Sequence, residues 1–335
     1  MKKTNYYLAG LLVVAAIFIG YHFYAAGQAE EQIIQLIEAQ TTGDQSISVT
    51  HSSVEVTPFT GKIIIRDLTI ILGNHIERAG RLTVDLGYLD VLKFYLGGTE
   101  YALRHLNRAE ALLLNPSYVN KSTLQQVSSD SLHIHFEGEA LDGIRAAVTD
   151  TVFSRRQTIH AEGSRLRLQS PNTLISGLQV KDFQYSGTVA AGDRFFWREG
   201  RHEITMDSLS WKPFEAFQNK YGFFIKGFGY PTDSIPFQSM RFQSTPHSQS
   251  GMLQVQTQLK SELALVSVDG LVDLQQPLGR SPLENATLSI TDFSDSFSRV
   301  LENVEQLLSI SLPRSEDGIT IRIEGSLSEP VINNR

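Results

Sequence analysis

The sequence predicts a mainly β protein: an N-terminal transmembrane helix followed by a curled, extended antiparallel β-sheet, groove-like, with a few capping helices. Three observations predict it. Short apolar runs of period two, bounded by Gly, Pro, Asn and Asp, recur from Ser46 to the C-terminus. One apolar stretch near the N-terminus has the length of a bilayer span. Finally, the strand over residues 62–70 slips its apolar phase by one residue, from Ile63 and Ile65 to Leu68 and Ile70, and a bulge or bend is the usual way to absorb such a slip.

Residues 6–24 contain no Asp, Glu, Lys or Arg. At 1.5 Å per residue these roughly 19 residues make about 28 Å, close to the hydrocarbon thickness of a bilayer. Lys2 and Lys3 precede the stretch, Glu30 and Glu31 follow it, and no Lys or Arg returns before Lys62. The positive-inside rule therefore puts the N-terminus in the cytoplasm and the body outside. Tyr6, Tyr7, Tyr21, Phe23 and Tyr24 stand at the two ends, as in an aromatic belt. A cleaved export signal is the competing interpretation, with residues 8–20 as its apolar part and 25–29 as its cleavage region. Both export the body.

Residues 25–40 continue as a helix, with Ile33, Ile34, Leu36 and Ile37 as its stripe and Thr41-Thr42-Gly43 as its stop. Strand signals then follow at 46–49, at 53–56 and 62–70 around a Pro58/Gly61 turn, and at 82–84. The run 86–96 is too densely apolar to alternate and reads as a short helix or plug. Strands resume at 109–114, 131–136, 164–168 and 174–185, with a turn or two of helix at 141–148. The glycine-rich 221–230 reads as a bent hairpin with exposed aromatics, and 252–259 and 263–274 as longer strands. Phe297, Val300, Leu301, Val304, Leu307 and Leu308 then give helical spacing over 294–311, with Asp292, Ser294 or Asp295 as the cap. A strand over 319–332 closes the chain.

Residues 164–185 resemble 53–70: strand, Pro-containing turn, strand, with Lys181-Asp182 where the first copy has Arg66-Asp67. The phase slips again, from Leu178 and Val180 to Phe183 and Tyr185. Residues 82–85 are echoed by 204–207, and 89–94 by 211–217. The organisation expected is an anchor and juxtamembrane helix (1–41), a first β-repeat (42–160), a second (161–250) and a C-terminal β-segment with the amphipathic helix (251–335). Each basic-acidic pair is expected to mark a bulge or sharp bend that passes the apolar stripe to the other face.

The chain has 335 residues, 41% of them hydrophobic, which is globular composition with ample core. Its 29 basic and 36 acidic residues form no basic cluster, so nucleic acid is not an expected partner. The absence of cysteine removes disulfides and Cys-ligated metals. No dinucleotide fingerprint, phosphate loop or nucleophile elbow occurs, so neither an enzyme nor a cofactor is expected. The weak metal candidate is His133 with His135, alternate residues sharing one strand face, with Glu137 next; His51, His160 or His202 would have to complete it. A solvated polar face explains the same pattern. Phe195-Phe196-Trp197, between Arg194 and Arg198, reads as core packing or a lipid-facing loop.

Thr57-Pro58-Phe59-Thr60-Gly61 followed by IIIRDLTI, the later RLTVDLGYLDVL, LNRAEALLLNPSYV and the terminal IRIEGSLSEPVI together resemble the AsmA-like superfamily. The resemblance covers the anchor, 46–120 and 319–335. This chain departs from the family pattern in having Thr57 where Asn is common, in being shorter than most members and in carrying the helix near Phe297. The resemblance implies an inner-membrane anchor, a periplasmic β-body with an apolar groove, and a role in phospholipid transport or outer-membrane assembly. Ile63, Ile65, Leu68, Ile70, Leu178, Val180, Phe183 and Tyr185 are then the expected acyl-contacting residues. The partners are the membrane, a phospholipid or other acyl lipid, and other envelope proteins. The alternative is a non-enzymatic scaffold, the same sheet with a filled core, binding a partner protein at the membrane.

Overall fold

The computed structural model describes residues 2–43, 47–86, 108–137, 156–171, 175–190, 200–247, 251–275, 278–308, 314–315, 318–327 and 329–333. The expected plug over 86–96, apart from Leu86, the helical turns over 141–148 and the aromatic group at 195–197 lie outside them. A mainly β fold is what these residues form. Its helices are α1 (Lys2–Gly43), α2 (Glu215–Gly227) and α3 (Asp295–Leu308).

All the strands belong to one antiparallel sheet. It begins with β1 (Ile47–Thr50) and β2 (Ser53–Val56), which line up end to end along β3 (Lys62–Leu72). Next comes β4 (His75–Asp85), then β5 (Arg108–Leu114) and β6 (Ser117–Asn120) end to end, then β8 (Ser131–Glu137) and β7 (Gln125–Ser128) end to end on the return. The meander continues through β9 (Arg156–Gln169), β10 (Ile175–Ala190), β11 (His202–Pro213), β12 (Ile235–Pro246), β13 (Leu253–Lys260), β14 (Leu265–Val272) and β15 (Pro282–Thr291). It ends at β17 (Gly318–Ser326), flanked by β16 (Arg314–Ser315) and β18 (Pro330–Asn333). Each long strand thus pairs with its predecessor in the chain. β9 runs through position 160, and β12 pairs with β13 across position 250, so the sheet is unbroken at both expected repeat boundaries.

A crease crosses eight of these strand positions. Asp67, Asn115, Arg165 and Ser208 have φ of 51°, 52°, 51° and 51°, left-handed values that L-residues rarely adopt. They occupy every second strand position, and Gly80, Asp130, Lys181 and Gln238 stand opposite them on the strands between. Arg66 pairs with Arg81 and Leu68 with Ala79, an equal step on both strands. Likewise Val180 pairs with Leu166 and Asp182 with Ser164. Neither strand gains a residue at the expected sites, so neither is a bulge: both strands run on unbroken, with a left-handed residue at Asp67 itself and, at Lys181, on its partner Arg165.

The left-handed Asp67 also corrects the expected direction of the apolar stripe. A left-handed residue breaks the up-down alternation of a strand, so its two neighbours point to opposite faces instead of the same one. Leu68 accordingly packs on the cluster that holds Ile63 and Ile65. At Lys181 the contrast recurs: Val180 is 2% exposed, whereas the Asp182 side chain is 55% exposed. The phase slip in the sequence and the flip in the backbone cancel, and the apolar side chains stay on one face.

The core beside α1 contains Ala26, Ala29, Val54, Val56, Ile63, Ile65, Leu86 and Ala109, with Ile33, Ile34 and Ile37 packed against it. Small side chains on α1 let the helix lie close to β2. The N-terminal side of α1 is different: Ile17, Ile19, Phe23 and Tyr24 are exposed. Among the described residues no helix is long and apolar enough to cross a membrane, and the side chains of residues 6–14 of the expected span are not among those described.

Residues 221–230 are not a hairpin. They form the second half of α2 and its terminal turn, in which Gly229 takes φ 80°. Phe217, Tyr221 and Ile225 recur every fourth residue, and Phe217 packs on Trp211 and Tyr221 at ring separations of 5.2 and 4.8 Å. Helix α3 matches its expected range closely. Ser294 is its cap, its Oγ accepting from the Phe297 N–H at 3.2 Å.

Candidate functional site

Register carries side chains across the sheet in rows, because residues directly opposite each other in an antiparallel pair share a face. One row starts at Val54 and proceeds through Ile65, Leu82, Leu113, Leu132, Gly163 and Phe183. It continues through Met206, Met240, Leu259, Val266 and Ile290 to Ile319. No member is polar. Thirteen strands are crossed, and twelve gaps of about 4.8 Å make the row about 58 Å long. The row beside it runs from Val56 through Ile63, Val84, Ala111, Ile134, Ala161 and Tyr185 to Ile204, Phe242, Thr257, Val268, Leu288 and Ile321. Only Tyr185 and Thr257 bear polar atoms in it.

The other face is its inverse. Lys62, Asp85, Glu110, His135, His160 and Ser186 are followed by Glu203, Gln243, Gln256, Asp269, Thr287 and Arg322, polar on every strand. Beyond the crease the apolar face continues through Leu166, Val180, Leu209 and Phe237, then through Tyr118, Val127, Leu168, Leu178, Trp211 and Ile235.

The eight expected acyl-contacting residues all fall in this apolar system, in two environments. Ile63 and Ile65 are packed beneath α1 with Ala26 and Ala29, and Leu68 lies against the same cluster. Leu178 is half-buried in the row beyond the crease, and Ile70, also half-buried, is separated from it there by the exposed Glu77; Val180 is buried, and Phe183 and Tyr185 are half-buried mid-sheet. Leu82, Leu113, Leu132, Met206, Met240, Leu259, Val266 and Ile290 were not anticipated. They are half-buried members of the same row, and a single chain read alone does not say which residues of different strands stand opposite one another.

Polar groups enter the apolar face at Thr257, at Glu77 and Tyr118 beyond the crease, and at one hydrogen-bonded pair mid-sheet. The Tyr185 hydroxyl lies 3.0 Å from His202 Nδ1, and burial pushes the Tyr185 hydroxyl pKa up. His202 is buried beside Gly187, where a Cβ would overlap both the Tyr185 and the His202 side chains.

His133 and His135 share the polar face. Their neighbours are carboxylates: His133 Nδ1 lies 3.1 Å from Glu162 Oε1, His133 Nε2 lies 3.7 Å from Glu110 Oε2, and His135 Nδ1 lies 3.4 Å from Glu110 Oε1. His160 is the register partner of His135, whereas His202 projects from the apolar face. Among the described residues no group of three or more His, Asp or Glu is disposed to hold a metal ion. Two shallow depressions of about 520 and 470 Å³ lie over this polar surface and share His133, Glu162 and Gln184.

Comparison with protein-family models, with curated proteins and with solved structures found no match.

Proposed function

We propose that this chain is a membrane-anchored envelope protein of the AsmA-like kind whose sheet curls into a groove and binds lipid acyl chains on its apolar face. In this role it assists phospholipid transport or outer-membrane assembly. The observation that carries the proposal is the row from Val54 to Ile319, free of polar side chains on every strand and half-buried over its middle. A filled core would bury these side chains, and a solvated face would alternate them with polar ones. Acyl chains laid along the row gain about 0.8 kcal/mol per methylene removed from water, and no covalent chemistry is required of any residue.

The N-terminal part of α1 serves as the single-pass anchor in the inner membrane, with the N-terminus cytoplasmic and the sheet periplasmic. Its exposed Ile17, Ile19, Phe23 and Tyr24 support this, as do the two lysines that precede it.

The test is extraction of the purified full-length protein with organic solvent, followed by mass spectrometry. Phospholipid at one molecule or more per chain is the expected result. A lipid-free protein that also fails to take up radiolabelled phospholipid from vesicles would overturn the groove and leave the scaffold alternative.

A further inference from the structure

We propose that the turn joining β2 to β3, with Phe59 at its tip, rests in the headgroup region of the bilayer that α1 enters. It thereby sets the first strands of the sheet at the membrane surface. The premise is the anchored arrangement proposed above, and this contact adds a second point of attachment to it.

Helix α1 changes character over His22–Ala25, where His22 is already only 3% exposed beside Phe59. From there on, Ala25, Ala26 and Ala29 are buried, the last two against the sheet, whereas Ile17 is 67% and Phe23 is 59% exposed. The helical residues before His22, from Lys2, project for about 30 Å at 1.5 Å per residue, close to a hydrocarbon core. Phe59 sits at the point of change. Its ring is 5.3 Å from His22 and 5.9 Å from Phe23, yet the residue remains 50% exposed.

The turn is built to hold that ring out. Thr57 Oγ1 is 2.6 Å from Thr60 Oγ1 and accepts from the Lys62 N–H at 2.9 Å, and Gly61 supplies the left-handed φ of 67° that closes the loop. An aromatic ring left half-exposed on a stiff turn, beside the buried His22 and the exposed Phe23 of a helix, has the chemistry of an interfacial aromatic. A lipid bilayer is the occupant whose thickness fits the projecting length of α1.

Because the chain has no cysteine, single cysteines can be introduced cleanly. Ile17→Cys, Phe59→Cys and Leu124→Cys are labelled with an environment-sensitive fluorophore. Leu124 is the control, exposed in the turn between β6 and β7 at the opposite end of the strands. The full-length proteins are reconstituted in phosphatidylethanolamine and phosphatidylglycerol vesicles carrying spin-labelled lipid, with the label at the headgroup or deep in the chain. Loss of fluorescence is expected at position 17 with either label, at position 59 with the headgroup label, and not at position 124. Quenching at 17 with none at 59 would overturn the contact and leave the anchor standing. Silence at 17 would remove the anchor and the contact together. Equal quenching at 59 and 124 would also overturn the proposal, since the sheet would then lie flat on the bilayer.

Discussion

Ser208 holds its left-handed φ with its side chain exposed, so nothing in its surroundings repays the strain. Ser208→Gly is expected to raise stability by about 0.5 to 1 kcal/mol, read from the midpoint of urea unfolding, and a lower midpoint would contradict the strained crease. Arg165 is a less clean site, because its guanidinium is 2.6 Å from Asp130 and that exposed pair would be lost as well. Glu203 carries the clearest pH dependence. The hydrogen bond from Arg241 holds its carboxyl below the ordinary value of 4.5. A carboxyl depressed on folding contributes stability above its unfolded pKa and loses it as pH falls through the folded value. Glu203→Gln is therefore expected to cost about 0.5 kcal/mol at neutral pH, and the difference should vanish in acid below the carboxylate range. A cost that persists in acid would point to packing instead.

The two shorter helices differ in how much of them the sequence discloses. Helix α3 was readable because six apolar residues keep helical spacing and a serine precedes them; Ser294→Ala is expected to cost about 1 kcal/mol in thermal or urea unfolding. Helix α2 was not, because Gly222, Gly227 and Gly229 read as turn residues and outweighed the four-residue recurrence of Phe217, Tyr221 and Ile225. Gly222 has a packing reason, since a Cβ there would approach Thr232 Cγ2 to 3.2 Å. Strands β9 and β10 extend beyond their legible cores into residues such as Thr158 and Ser186, whose polar character is dictated by the outward face. The irregularities at Asp67 and opposite Arg165 were legible as phase slips, whereas their geometry was not. A slip in the apolar pattern tells where alternation fails, and only the backbone tells whether a residue has been added or turned over.

At the scale of the molecule, the face itself was the least legible feature. Alternation within a strand is visible in the sequence, but register between strands is a tertiary property, so the continuity from Val54 to Ile319 emerges only when pairing is known. A charge in the middle of that row should interrupt lipid binding. Met206→Asp is expected to reduce co-purifying phospholipid severalfold, while Thr205→Asp, its neighbour on the polar face, leaves it unchanged. Equal loss in both would indicate general damage to the sheet.

The plain meander has a further consequence, for how the molecule is made. Every long strand finds its partner in the strand synthesised just before it, so pairing never has to wait for a distant segment. A chain emerging N-terminus first can therefore add strands one at a time to a template that begins at α1. Its length is then an adjustable property: losing the last hairpins would shorten the face without abolishing it, and duplicating a pair of strands would lengthen it by about 10 Å.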